Sequence, residues 1–105
     1  MAKKNRKMPT FIALFGWTEQ GVRSAKDTIK RAERFTADIK KMGGSVKDVY
    51  WTMGRYDGVI IFEAPDEESA TALMLAGCAR GNVRTETLRA FDSGDMKGIL
   101  KLARG

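Results

Sequence analysis

The strongest constraint in this sequence is a stretch in which apolar residues occupy both odd and even positions. Residues 58–62 read Gly-Val-Ile-Ile-Phe, and residues 11–15 read Phe-Ile-Ala-Leu-Phe. A strand with one wetted face alternates polar and apolar residues, whereas these two stretches are apolar on both faces. We therefore predict that they form the two central strands of a sheet, and that both faces of that sheet are covered.

Composition limits what else the chain can be. Its 105 residues suffice for one domain, and 43% hydrophobic with 30% charged residues is typical of a globular protein. The single cysteine, Cys78, precludes an internal disulfide. With no histidine, the chain lacks the commonest general base and cannot hold a His-ligated haem, so we expect no cofactor and no metal. No apolar run reaches the roughly 18–20 residues that span a bilayer, and no secretory signal is present, so we expect a cytoplasmic protein without membrane contact.

Four strands and three helices are predicted from periodicity and helix caps. The strands are Thr10 to Thr18, Ser45 to Met53, Tyr56 to Ala64 and Val83 to Phe91. The first helix runs from its cap at Thr18 to Gly43-Gly44 and has an inward stripe of Val22, Ala25, Ile29, Ala32, Phe35, Ile39 and Met42. The second helix extends from Asp66 to about Arg80. A tail helix covers Asp95 to Arg104, with Met96, Ile99, Leu100 and Ala103 inward.

The order β-α-β-β-α-β favours an α+β, ferredoxin-like sandwich. Such a fold has a four-stranded antiparallel sheet with both helices on one face, here followed by a short C-terminal helix. We predict a basic, flexible arm at 1–8, the domain at 9–93 and a helical tail at 94–105. The arm contains Lys3, Lys4, Arg6 and Lys7, which supply +4 of the net charge of +6.

The face of the sheet opposite the helices determines how we expect the chain to assemble. Four strands about 20 Å long and about 4.8 Å apart present roughly 400 Å² on that face. Because a monomer rarely leaves such an apolar patch in water, we predict a homo-oligomer, a dimer or a multiple of dimers, in which a second copy covers it. The alternative is that the tail helix folds over the same face.

Side-chain parity assigns residues to this open side. The all-apolar even positions of the third strand suit the helix side, which leaves Asp57 and Glu63 on the open side. In the second strand we predict Trp51 and Met53 inward, and in the fourth strand Leu88 and Ala90 inward. The candidate ligand-binding residues are then Tyr50, Thr52, Tyr56, Asp57, Glu63, Thr85, Thr87 and Arg89.

Two carboxylates are the weak candidates for catalysis. Asp57 and Glu63 are six residues apart on one strand, so about 20 Å separates them and they cannot work as a pair within one subunit. Either could act alone if desolvation raised its pKa. In the structural alternative Asp57 caps the turn at Gly54, and Glu63 pairs with a basic residue such as Arg89. Tyr56 could donate to a ligand or fill the core, and Trp17 and Trp51 could line a pocket or pack in the core.

Residues 54–66 carry a resemblance to a known family. Gly54-Arg55-Tyr56-Asp57, an apolar strand and then Glu63-Ala64-Pro65-Asp66 resemble the GYD domain family, which is named for its Gly-x-Tyr-Asp segment. Residues 81–91 are similar to the closing strand of that family, and the likeness covers about residues 9–93. It implies a ferredoxin-like fold related to dimeric α/β-barrel proteins and a bacterial or archaeal cytoplasmic protein, with no established activity.

The sequence is compatible with three functions. The first is a homo-oligomeric module that binds a small molecule or a partner through the sheet face. The second is a cofactor-independent enzyme of the dimeric α/β-barrel type that acts on a small carbonyl or aromatic substrate. The third is a nucleic-acid accessory protein that uses the basic arm, although four charges would give only weak, salt-sensitive binding.

Overall fold

The computed structural model describes residues 7–104, so most of the basic arm predicted at 1–8 lies outside the described residues. Its four strands are β1 (Thr10–Trp17), β2 (Ser45–Trp51), β3 (Gly58–Glu63) and β4 (Val83–Ala90). They form one antiparallel sheet in the order β2-β3-β1-β4, with the two doubly apolar strands in the centre. The sheet confirms the ferredoxin-like α+β architecture predicted from the sequence.

The core lies on the helix side of the sheet. Phe11 pairs with Phe62 across β1 and β3, and Phe15 pairs with Gly58. The rings of Phe11 and Phe62 stack 5.5 Å apart, and Phe35 meets Phe62 edge-on at 5.8 Å. Stacked and edge-on aromatic pairs add to the stabilisation from burial. The even-position set of β3 thus faces the helices, as predicted.

The first helix is broken, and the single long helix predicted from Thr18 to Gly43 is wrong. The chain forms α1 (Glu19–Arg23), a 3-10 turn (Ala25–Asp27) and α2 (Thr28–Lys41). The reason is a non-local contact, because a Cβ on Gly21 would lie 1.9 Å from the carbonyl oxygen of Asn82. This close approach fixes α1 against the start of β4, while α2 turns away to pack on the sheet.

The break changes which residues of this segment face inward. Val22 and Ile29, expected in the inward stripe, are 55% and 60% exposed, and Met42 is exposed as well. Ile39 is fully buried, as expected. Arg31 is half-buried and donates to the carbonyl oxygens of Ser24 and Gly21.

The last two helices begin at the side-chain caps of two aspartates. Asp66 accepts from the backbone N–H of Ser69 and starts α3 (Glu67–Cys78), which packs beside β4. Asp92 accepts from the backbone N–H of Asp95 and starts α4 (Ser93–Ala103) with a reciprocal capping box.

Helix α4 projects from the body instead of packing on it. It makes no substantial contact with any other helix or strand of the described chain. Met96 and Leu100, predicted to face inward, are 39% and 60% exposed, and that expectation is wrong for the single chain. The molecule is accordingly 50 Å long but only 19 Å thick, the depth of one sheet and one helix layer.

Candidate functional site on the open sheet face

The candidate site is the open face, which we define as the five side chains of Ile12, Leu14, Val59, Ile61 and Leu88. The register places them together, since Ile12 pairs with Ile61 and Leu88, and Leu14 pairs with Val59. The four on the central strands are half-buried and Leu88 is 43% exposed. Helices α2 and α3 pack on the other face, and α4 packs on neither. An apolar surface therefore spans three strands with no cover from residues 7–104.

Polar and aromatic residues surround this patch. Tyr50 pairs with Val59 and is 56% exposed, and Asp48 pairs with Ile61. On the far side Glu86 pairs with Leu14, and Arg84 pairs with Gly16. An apolar centre with a charged border is the usual composition of a protein interface. We call Asp48, Tyr50, Tyr56, Arg84 and Glu86 the rim.

The predicted orientation of the fourth strand is wrong. Thr85 and Thr87 pair with Phe15 and Ala13, so they face the helices, and Leu88 faces the open side. Arg89 also lies on the helix side, where its guanidinium stacks over the rings of Phe91 and Phe11. The candidate ligand-binding set is thus divided between the two faces. Met53, predicted inward, is 96% exposed.

The Gly-x-Tyr-Asp segment forms the loop between β2 and β3, and its residues join three strands. Gly54 has a φ of +104°, a conformation that favours glycine. Thr52, one of the candidate binding residues, donates its hydroxyl to the carbonyl of Tyr56 at 2.7 Å and thereby closes the loop. The Asp57 carboxylate accepts from the backbone N–H of Trp17 at 2.8 Å. The same residue donates its own N–H to the carbonyl of Phe15.

Tyr56 reaches across the end of the open face. Its hydroxyl donates to the carboxylate of Glu86 on β4. This hydrogen bond, more than any other contact, raises the pKa of the Tyr56 phenol, and partial desolvation and the negative charge of Glu86 act in the same direction. Arg55 stacks over the Tyr56 ring at 5.7 Å. The tyrosine of the motif therefore anchors β4 to the β2–β3 loop and contributes to the rim.

The two catalytic candidates are in structural contacts. The carboxylate of Asp57 is held by a backbone N–H, so it caps the end of β1, not the turn at Gly54. Glu63 lies 3.8 Å from the ammonium of Lys47 and 3.5 Å from the hydroxyl of Ser45, so its basic partner is Lys47, not Arg89. Residues 7–104 contain no group of three or more acidic or sulfur ligands placed to hold a metal ion.

A second concavity lies between the sheet and helices α2 and α3, and Thr85 of the candidate ligand-binding set lines it. Its volume is about 150 Å³, and its apolar walls include Phe15, Phe35, Ile60, Leu73 and Met74. Trp51 lines it, as the sequence allowed, and its indole N–H donates to the hydroxyl of Thr28. Local sequence patterns could not reveal the full lining, because its residues come from six separate segments, the four strands and helices α2 and α3.

Comparison with known proteins identifies the family. The profile of the GYD domain matches residues 11–100, nearly the whole described chain. The chain belongs to the GYD domain family. The match extends past the closing strand into α4, so the projecting helix lies largely within the region that the family shares.

Two relatives come from Thermus thermophilus. A protein named glutamine synthetase and cystathionine beta-lyase binding protein is 33% identical over 95 residues, which is 90% of this chain and 100% of the relative. The crystal structure of TTHA0845 superposes with a TM-score of 0.52 at 26% identity and covers 82% of this chain and 96% of that one. Within residues 7–104, no helix combines the length and the hydropathy needed to cross a membrane.

Proposed function

We propose that this GYD protein is a protein-binding module that works as a self-associated pair, in which the open face of one copy packs against the open face of another. The observation that carries the proposal is an apolar patch that residues 7–104 leave uncovered, formed by Ile12, Leu14, Val59, Ile61 and Leu88. A patch of this kind marks an interaction site because its exposure to water costs free energy.

A second copy is the occupant that the rim favours. In a twofold pair each residue of the patch meets the same surface of its partner, so the rim must be self-complementary. Arg84 and Glu86 are two residues apart on β4, so their side chains lie on the same face of the strand. That face therefore carries one positive and one negative charge. A twofold axis through the centre of the sheet can therefore bring the arginine of one copy near the glutamate of the other, once on each side of the axis.

The kind of protein partner comes from the Thermus relative. That relative is named for binding glutamine synthetase and cystathionine beta-lyase, and this chain spans its full length. We extend the same role to this chain: the pair binds an enzyme of amino-acid metabolism of one of these two kinds. The carboxylate contacts of Asp57 and Glu63 support a binding role over catalysis, since both groups are already engaged within the fold.

The self-association half is tested by sedimentation equilibrium from nanomolar to high micromolar concentration. The expected result is a concentration-dependent mass that reaches twice the 11.7 kDa of one chain. A mass of one chain at every concentration would refute the pair. Cross-linking through an introduced cysteine at Tyr50, beside the patch, should trap the pair, whereas a cysteine at Thr36 on the outer side of α2 should not.

The partner half is tested by biolayer interferometry with immobilised chain and two purified enzymes, glutamine synthetase and cystathionine β-lyase. Binding of either enzyme, saturable and competed by free chain, is the expected result. Absence of binding to both would refute the partner class even if the chain is a dimer. Because the two measurements are separate, failure of one half does not conceal the outcome of the other.

A further inference from the structure

The cavity between the sheet and helices α2 and α3 has features of a ligand site that the open face lacks. It lies on the opposite side of the sheet from the open face, so a pair formed through the open face leaves it accessible. Its floor is formed by Phe15 and Ile60 on the central strands, and its walls by Phe35 on α2 and by Leu73 and Met74 on α3.

The size of the cavity matches one aromatic ring. A cavity of about 150 Å³ lined by apolar side chains is large enough to hold benzene, and in a known case it stays dry when empty. The volume here is about 150 Å³ and most of the lining is apolar. The concavity is open to solvent on one side, so a ring can enter it and gain van der Waals contacts with its apolar lining.

The charge at the cavity is of one sign. Arg31, Arg34 and Arg80 line it, and no aspartate or glutamate does. Arg31 is committed to backbone carbonyls of the α1 segment, and Arg80 lies 3.8 Å from Asp38. Arg34 makes no ion pair or side-chain hydrogen bond with any residue between 7 and 104. The exposed Arg34 guanidinium, unpaired within residues 7–104, is suited to a carboxylate, which it can bind through two parallel hydrogen bonds.

We propose that this cavity binds a small aromatic carboxylate, with the ring between Phe35 and Leu73 and the carboxylate at Arg34. The hydroxyl of Thr85 and the thiol of Cys78 lie 3.4 Å apart and are the polar groups of two residues in the lining. Substituents on the ring that donate or accept a hydrogen bond would meet this pair. The chemical class is thus an aromatic acid of one ring.

The direct test is calorimetric titration of the full chain with benzoate. Two control compounds separate the contributions: benzyl alcohol has the ring without the charge, and acetate has the charge without the ring. We expect benzoate to bind with one site per chain and at least about tenfold more tightly than either control. Equal affinity for acetate and benzoate would overturn the proposal, as would no binding of benzoate.

Substitutions at two glycines, one in the cavity and one outside it, test where the ligand binds. Gly77 lines the cavity and Gly98 lies on α4, and a Cβ at either position would meet nothing within 4 Å. Gly77→Leu fills the cavity while it improves the helix, so the protein should stay folded and lose benzoate binding. Gly98→Leu makes the same change in a helix outside the cavity and should leave the affinity unchanged. Unchanged binding in a folded Gly77→Leu variant would place the ligand elsewhere and overturn the proposal.

An arginine variant tests the charge. Arg34→Gln should weaken benzoate binding about tenfold and leave the affinity for benzyl alcohol unchanged, because a charged hydrogen bond to the carboxylate is lost. Lys30→Gln, a matched change on the same helix outside the cavity lining, should alter neither affinity. If both variants bind benzoate equally well, the carboxylate is not held at Arg34.

Cys78 supplies an independent readout, since it is the only cysteine of the chain and lines the cavity. Saturating benzoate should slow its alkylation by iodoacetamide, and acetate at the same concentration should not. This effect should persist in Leu88→Glu, which alters the open face alone. An alkylation rate insensitive to benzoate would contradict the proposed position of the ring, whatever the oligomeric state.

Discussion

Replacement of Leu88 by glutamate tests the role of the open face most directly. Leu88 is 43% exposed, and its neighbour across the strands is Ile12 in the centre of the patch. Since the side chain is on the face opposite the core, the substitution leaves the packing beneath α2 and α3 unchanged. The folded chain should therefore survive while its self-association is weakened.

The expected change in the dissociation constant of the pair follows from the exposed fraction of the Leu88 side chain. Full burial of a leucine contributes about 1.5–3 kcal/mol. The part still exposed in one chain then corresponds to about 0.6–1.3 kcal/mol. A twofold pair covers two such residues, so their loss costs about 1.3–2.6 kcal/mol, or about 10- to 80-fold in the dissociation constant. Desolvation of the two introduced carboxylates adds to this cost, so we expect the dissociation constant of the pair to increase at least about tenfold.

The assay is sedimentation equilibrium, with far-UV circular dichroism as the check on folding. Leu75→Glu is the matched control, since Leu75 is 68% exposed on α3 and lies away from the open face. It should dissociate at the same concentration as the wild type. An unchanged dissociation constant in a folded Leu88→Glu variant, or an equal shift in both variants, would refute the assignment of the interface to the open face.

Three further changes test the fold around the site. In Gly58→Ala the new Cβ would lie 2.2 Å from an aromatic ring atom and 2.7 Å from a backbone carbonyl, so we expect a loss of about 1–3 kcal/mol in the free energy of unfolding, measured by urea denaturation. Gly16→Ala, where the nearest atom is 3.8 Å away, should cost far less, and equal losses would contradict the steric reason. The hydrogen bond to Glu86 raises the pKa of Tyr56, so its contribution to stability is complete below the ordinary tyrosine pKa and is lost as pH rises through the folded value. In a 295 nm titration Tyr56 should ionise above the ordinary tyrosine pKa, and Tyr56→Phe should remove that late step; absence of a late step in the wild type would disprove the bond. A lysine hydrogen bond lowers the pKa of Asp92 to about 2, so the cap of α4 is complete above the ordinary aspartate pKa and is lost as pH falls from about 4 to about 2. Circular dichroism should show loss of helix in that range, and a flat profile would contradict the cap.

The sequence predicted the sheet well because its two central strands are unambiguous. Gly58 and Phe62 share a parity with Ile60, and no polar residue interrupts that set, so the helix side of β3 could be assigned correctly. The Gly-x-Tyr-Asp motif located the loop between β2 and β3 and the family, because a glycine with positive φ followed by two residues with specific hydrogen bonds leaves little freedom.

The fourth strand shows where pattern reasoning fails. Thr85 and Thr87 alternate with Glu86 and Leu88, and the only large apolar side chain among them was assigned to the core. In the fold that leucine faces away from the core. Hydrophobic periodicity reports which side chains avoid water, but it does not say whether a helix of the same chain or another molecule provides the cover.

Non-local contacts explain the remaining differences. The break after α1 depends on Gly21 lying against the backbone of Asn82, sixty-one positions along the chain. No local propensity encodes that contact, so the amphipathic stripe appeared continuous. The cavity could not be predicted for a similar reason, because its walls come from both halves of the fold and its volume depends on how closely α2 and α3 approach the sheet.

The register shift between Val46 and Asp48 has a consequence for how large an assembly can become. This irregularity lies in β2, the outermost strand at one border of the sheet. An uneven border with Lys47 at the shift is a poor template for another strand, so lateral growth by backbone pairing is discouraged there. In the proposed pair the open faces are stacked, and the helices form the outer surfaces. The proposed pair is therefore protected from further growth by strand pairing along the β2 border.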